Sequence, residues 1–263
     1  MMEHRPERAG VGRQRPWCPE PTRSRQARSR FILGLCLTPD PVLFSLLPLR
    51  RTAAADLSTA RDRMDNSLII FLHGIGGYGR YFASVAKRWQ QQWPSTHFAL
   101  PDGPFFFTQG EGFQWFDIDD DTPTLRNARI VAARTSFDAI IQQALDRYQM
   151  TEHPERVALV GFSQGAVMAL DTLTSDRCPY GAIVAFSGYL PVFTDAHIAR
   201  RTPVALIHGM EDDKLPWQYS QQTERVLTQA GVDCELHLLP NVDHRVSVAG
   251  ANLANDFLTR VMR

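Results

Sequence analysis

The sequence predicts an α/β protein with a mostly parallel central sheet and helices on both of its faces. Two observations carry that expectation. From residue 67 onward, six short runs rich in Val, Ile, Leu and Ala are apolar almost without a break, as strands covered on both faces must be. Between them lie stretches in which apolar residues return every three or four positions, the spacing of a helix with one covered face. Strands that alternate with helices call for crossover connections, and crossovers lay helices on a parallel sheet.

Taken in order, "SLIIFL" (67–72) is the first strand and a helix is expected at 80–91. "HFALP" (97–101) is the second strand. Between 127 and 149, Ile130, Val131, Phe137, Ile140, Ile141, Leu145 and Tyr148 recur at helical spacing. "RVALV" (156–160) leads into a helix at 163–174, and "GAIVAF" (181–186) and "PVALI" (203–207) follow as buried strands. A helix at 217–230, the buried strand "CELHLL" (234–239) and a last helix at 248–262 complete the pattern; Leu253, Phe257, Leu258 and Val261 share one face of that helix. The result is one domain, residues 64–263, with no internal repeat.

Residues 1–63 are a different kind of polypeptide. They carry 12 arginines against 6 acids, whereas residues 64–263 carry 16 basic and 22 acidic side chains, so the net charge switches from +6 to −6. The Arg- and Pro-rich start has no period of 2 or 3.6, which predicts a disordered or spurious extension. A targeting segment ending near "TAAADLSTA" is the alternative, as is translation from Met64. "FILGLCLTPDPVLFSLLPL" is broken by Thr-Pro-Asp-Pro, so stable membrane insertion is not expected. The acidic body offers no basic stripe for nucleic acid. Cys18, Cys36, Cys178 and Cys234 lie far apart without a CxxC, which argues against a disulfide framework or metal site and for a reducing, cytoplasmic setting. A monomer or a homodimer is equally compatible with this composition.

Gly161-Phe162-Ser163-Gln164-Gly165 fits G-x-S-x-G between an expected strand and an expected helix. A sharp strand-to-helix turn strains the serine backbone and exposes its hydroxyl, and side chains two positions away on either side would collide with the neighbouring strand and helix. The helix N-terminus also sets backbone N–H groups where negative charge develops. A serine hydroxyl needs a base, and the base needs a carboxylate to orient it. "PVALIHGMEDDKLPW" supplies Glu211, Asp212 and Asp213 past a strand, and spacing alone does not choose among them. "CELHLLPNVDHRVSVAG" supplies His244 between the last strand and the last helix. His237 within a strand, His153 before a proline and His97 at a strand start are weaker candidates. The glycine-rich "FLHGIGGYGRYF" (71–82) leaves backbone N–H groups free to meet a carbonyl oxygen and lacks the pattern of a phosphate loop.

With "LPDGPF" and "WFDI", the segments "LHGIGG", "GFSQGAVMAL", "HGMEDDKLPW" and "DHRV" resemble the phospholipase/carboxylesterase family of α/β hydrolases, which includes acyl-protein thioesterases and small bacterial carboxylesterases. The resemblance spans residues 67 to 262 and implies an α/β-hydrolase fold. It further implies Ser163 as nucleophile, His244 as base, Asp212 as its acid, and the backbone N–H groups of Ile75 and Gln164 as oxyanion donors. Two positions depart from the family: Tyr81 replaces an acid, and Asp243 replaces the glycine before the histidine and sets an extra carboxylate beside it.

The aromatic segment "PFFFTQGEGFQWFDIDDD" reads either as an apolar acyl-binding wall, with Trp115 and Phe116 as substrate-binding candidates, or as a loop folded onto the core by its own rings. Asp119, Asp120 and Asp121 read as a solvated turn. The expected function is hydrolysis of a carboxylic ester or thioester, in a small-molecule ester or an acylated substrate, through an acyl-serine intermediate, without cofactor or metal. A serine peptidase on the same fold and a non-catalytic binding protein are the alternatives.

Overall fold

A computed structural model of the protein describes residues 66–119, 122–175, 177, 179–191 and 197–262. The expectations for residues 1–63, Met64, Cys18, Cys36, Cys178, Asp120 and Asp121 lie outside these. Six strands, β1 (Ser67–Leu72), β2 (Thr96–Ala99), β5 (Val157–Phe162), β6 (Ala182–Phe186), β7 (Val204–Gly209) and β8 (Cys234–Leu239), form one sheet in the order β2-β1-β5-β6-β7-β8. Every neighbouring pair in it is parallel. A second, two-stranded antiparallel sheet joins β3 (Phe105–Phe106) to β4 (Phe113–Gln114).

Alternation along the strands explains why they read as continuous apolar runs. Leu68, Ile70, Leu72 and Leu159 face one helical layer, built from α2 (Pro123–Arg147), α3 (Gln164–Thr174) and α4 (Gln218–Gln229). Ile69, Phe71 and Val160 face the other, built from α1 (Ala83–Trp89) and α5 (Val248–Val261) with Phe82, Trp89 and Phe257. Neither face meets water, so neither row of side chains is polar. Each fully buried Leu, Ile or Phe contributes roughly 1.5–3 kcal/mol of transfer free energy. The edge strand β8 differs from the buried strand expected there: all six of its residues are only half-buried, because among the described residues no strand pairs beyond it. Glu235 and His237 use that edge to pair with each other at 2.9 Å.

Two further differences have local causes. The long helix begins at Pro123, four residues ahead of the apolar pattern, because Thr122 caps it by accepting the Leu125 N–H at 3.3 Å. A proline as first helical residue loses no hydrogen bond there. The aromatic segment after β2 is not a plain loop; it folds on itself as the β3–β4 hairpin, with Phe106 stacked on Phe113 at 5.2 Å.

One buried carboxylate ties two helices of the first layer together. Asp171 on α3 is fully buried and accepts from Arg134 on α2 at 2.8 and 2.9 Å, and from Arg177 at 2.8 Å. Arg177 in turn reaches Asp138 on α2 at 2.9 Å. The chain runs from β1 outward to β2 and then returns to β5 on the other side of β1. The strand order therefore reverses between β1 and β5, and their carboxyl ends open a crevice there.

Candidate active site

Ser163 follows β5 at this crevice. Its backbone sits at φ 53° and ψ −117°, a conformation that side chains rarely adopt. The turn is locked from both directions: the Ser163 N–H donates to Phe186 O on β6 at 2.9 Å, and the Ser163 carbonyl accepts from Val167 in α3 at 3.1 Å. A side chain on Gly161 would strike the Ala166 backbone, and one on Gly165 would run into the Leu72 carbonyl. Both collisions follow from packing α3 directly against β5 and β1, so small residues flank the serine on either side.

His244 and Asp212 meet this serine. Nε2 of His244 lies 3.0 Å from Ser163 Oγ, and Nδ1 lies 2.7 Å from Asp212 Oδ2. An ionised carboxylate only accepts, which puts the imidazole proton on Nδ1 and turns the Nε2 lone pair toward the hydroxyl. The imidazole packs on the Phe162 ring at 4.8 Å between centroids. It sits in the loop between β8 and α5, whose first turn is capped by Ser247 accepting the Gly250 N–H at 3.1 Å.

Of the three acids after β7, only Asp212 turns inward. Its Oδ1 accepts the N–H groups of Lys214 and Leu215 at 3.0 and 2.8 Å. Burial pushes its pKa up, but the Leu215 N–H, His244 and the Ser187 hydroxyl outweigh that and hold the carboxyl below its ordinary value of 3.8. Glu211 and Asp213 point to solvent, Asp213 beside Lys214 at 3.4 Å. His208, which spacing does not single out, braces the same carboxylate: its Nε2 lies 3.1 Å from Asp212 Oδ2 and 2.8 Å from Leu215 O. Its Nδ1 lies 2.7 Å from the Ser220 hydroxyl. Asp243, the extra carboxylate beside His244, is drawn away by Arg245 at 3.0 Å.

The glycine-rich loop after β1 is fastened at several points. Gly103 N–H donates to His73 Nε2 at 2.8 Å, so the other ring nitrogen carries the proton and donates to Gly74 O at 2.7 Å. Gly76 N–H donates to Phe113 O at 2.9 Å, Phe113 N–H to Gly77 O at 3.0 Å, and Gly79 N–H to Asp102 at 2.8 Å. Among the described residues, the N–H groups of Ile75 and Gln164 donate to no other backbone group. The Gln164 side chain grips the segment opposite: Oε1 accepts from Trp115 N–H and Nε2 donates to Phe116 O, each at 2.7 Å. Sequence spacing gives no sign of this clamp, because it joins side chain to backbone across 48 and 49 positions.

The two aromatic candidates part company. Phe116 lines a cavity of about 370 Å³ that also contains Ser163, Gln164, Val167, Ile118 and His244. Trp115 does not reach it, contrary to the expectation of a substrate contact. Its indole is fully buried, donates to His73 O at 2.8 Å and packs on His73 and Phe137. It stands behind the wall because its N–H needs a partner that the core supplies. Phe105 and Phe106 line a separate cavity on the hairpin. No group of three or more His, Cys, Asp or Glu side chains suited to a metal occurs among the described residues. Cys234 is a poor rival nucleophile, since burial, Glu224, Asp233 and Glu235 push its thiol up to about 12. No described helix is long and apolar enough to cross a membrane.

Known proteins resemble this chain over the same region. Acyl-protein thioesterase 1 of Neurospora crassa is 26% identical over 211 residues, 73% of this chain and 85% of that protein. Acyl-protein thioesterase 1 of Gibberella zeae is 30% identical over 198 residues, covering 67% and 82% of the two chains. The crystal structure of esterase PE8 superposes with a TM-score of 0.68 at 34% identity, covering 74% of this chain and 92% of that one. The family model for phospholipase/carboxylesterase matches residues 58–262. The sheet, the strained turn at Ser163 and these matches lead to one assignment: the chain belongs to the phospholipase/carboxylesterase family and has the α/β-hydrolase fold.

Proposed function

We propose that this ester hydrolase works through an acyl-serine intermediate, with Ser163 as nucleophile, His244 as general base and acid, and Asp212 as the carboxylate that orients it. The observation that carries the reading is the continuous line from Asp212 Oδ2 through the imidazole to Ser163 Oγ, with contacts of 2.7 and 3.0 Å. As Oγ attacks the substrate carbonyl, its proton passes to Nε2. The tetrahedral oxygen gains negative charge facing the Ile75 and Gln164 N–H groups, which need no reorganisation to receive it. Collapse expels an alcohol or thiol that takes the proton from Nε2. Water, activated by the same imidazole, then frees the acid.

Asp212 stays ionised because hydrogen bonds hold its pKa down, so the imidazolium formed in each step has a negative partner. An open cavity lined by Phe116, Ile118 and Val167 suits a small or extended acyl group. Likeness to proteins named acyl-protein thioesterase supports thioesters alongside oxygen esters as substrates.

The test is fluorophosphonate labelling of the wild type and of Ser163→Ala, with hydrolysis of a short aryl ester followed in parallel. Label and turnover in the wild type, both lost in Ser163→Ala, are expected. Label without ester cleavage points to a peptidase, and a wild type that takes no label contradicts the proposal.

A further inference from the structure

We propose that a second cavity, between the glycine-rich loop and the His244 loop, is the leaving-group subsite and takes an apolar, aryl-sized alcohol or thiol. The proposal rests on the acyl-serine reading above. Two cavities meet over the reacting groups, and both touch Gly74, Ile75, Phe162 and His244. The first contains Ser163, Gln164 and Val167. The second, of about 360 Å³, reaches none of these three and runs instead along Arg245 and Val246 to Tyr81, Ser84 and Val85.

The geometry of the tetrahedral carbon assigns the two spaces. One substituent is Ser163 Oγ, and a second is the oxygen held toward the Ile75 and Gln164 amides. The leaving atom must receive the proton from Nε2 of His244, so it turns toward the imidazole and its remainder continues along the His244 loop. Of the two cavities, the second lies on that course, which leaves the first for the acyl chain. In acylation the Oγ–carbon bond forms, the carbon–oxygen or carbon–sulfur bond to the leaving group breaks, and the serine proton ends on the departing atom. Water then enters from the vacated side for deacylation.

The walls decide the chemistry of the occupant. Ile75, Phe82, Val85, Phe162 and Val246 present apolar surface, and among the described residues no carboxylate lines the space. The one arginine among the lining residues, Arg245, is already engaged by Asp243 at 3.0 Å. Tyr81, where the family resemblance leads one to expect an acid, stands 64% exposed at the mouth with its ring edge-on to Tyr78 at 5.5 Å. The Arg80 guanidinium already lies over the Tyr78 and Tyr81 rings at 3.7 and 6.0 Å, so this rim favours an uncharged apolar leaving group over a second cation.

The experiment compares methyl butyrate with 2-naphthylmethyl butyrate, which form the same acyl-enzyme, on the wild type, Val85→Trp and Ser84→Trp. Filling the cavity is expected to lower the naphthylmethyl-to-methyl ratio of kcat/KM by about tenfold or more, the selectivity that apolar pockets typically show. The loss should fall in the acylation phase of single-turnover traces, because the alcohol has gone before deacylation. Ser84 is exposed, so Ser84→Trp carries the test should Val85→Trp fail to fold. An unaltered ratio, or a loss that tracks acyl-chain length across butyrate and octanoate, overturns the subsite. Fluorophosphonate labelling of the same samples separates the two ideas: label with an unaltered ratio removes only the subsite, whereas no label on the wild type removes the acyl-serine reading itself.

Discussion

At Asp212, burial and hydrogen bonding oppose each other, and hydrogen bonding wins. Two amide donors fix Oδ1, the imidazole of His244 takes Oδ2, and the carboxyl stays below its ordinary range. Replacing it by Asn keeps the shape but gives Nδ1 of His244 a partner that favours the wrong tautomer. Asp212→Asn should therefore lower kcat by about 10⁴-fold. Asp213→Asn, at an exposed side chain, should stay within about threefold of wild type, since isolated surface charges contribute little. Aryl-ester kinetics of the two variants check this; equal losses in both would break the assignment of Asp212. Spacing alone could not choose among Glu211, Asp212 and Asp213, because all three share one loop. What separates them is which carboxylate finds amide donors, and that depends on how residues 213–215 turn back. Ser163 and His244 were easier to read, since a strand, a G-x-S-x-G turn and a helix constrain one, and a loop after the last strand constrains the other.

Asp171 joins α2, α3 and Arg177 into one unit. Asp171→Ala would leave Arg134 and Arg177, the latter with only 10% of its side chain exposed, without their shared carboxylate. The expected cost is about 3–5 kcal/mol, the usual penalty for breaking one partner out of a buried charge cluster. Urea unfolding of the variant measures it, and a change under 1 kcal/mol would show that the cluster is not a structural tie. The strands and the later helices could be read from sequence because their apolar spacing is set by a two-sided core. The β3–β4 hairpin could not. Its strands are two residues each, too short for alternation to register, and its place is set by Gly76 and Gly77 bonding to Phe113. The early start of α2 was signalled by Thr122 and Pro123, a capping cue that apolar periodicity does not contain.

The whole molecule brings Ser163, His244 and Asp212 together where the strand order reverses, and a buried histidine fastens that junction. His73 follows β1 directly, accepts from Gly103 and is held neutral by burial, which lowers its pKa from the ordinary 6.5 although Gly74 and Asp102 act the other way. As pH falls through 6.5, the unfolded chain takes this proton and the folded protein refuses it. The unfolded state then binds more protons, so stability is lost on acidification, by at most about 1.4 kcal/mol per pH unit for this one group. Urea midpoints at pH 7.5, 6 and 5 should fall in that order, and His73→Gln should fall less steeply. A wild-type midpoint that rises on acidification would contradict the neutral, Nδ1-protonated assignment.

On the proposed mechanism, Ser163 carries the acyl group between the two halves of turnover. Acid-quenching the wild-type enzyme during steady-state hydrolysis of an aryl butyrate, followed by peptide mass mapping, tests it most directly. A butyryl mass on the peptide containing Ser163 is expected, absent from the Ser163→Ala protein under the same quench. Turnover at the wild-type rate by Ser163→Ala, or a butyryl group found on another residue while Ser163 stays unmodified, would contradict it.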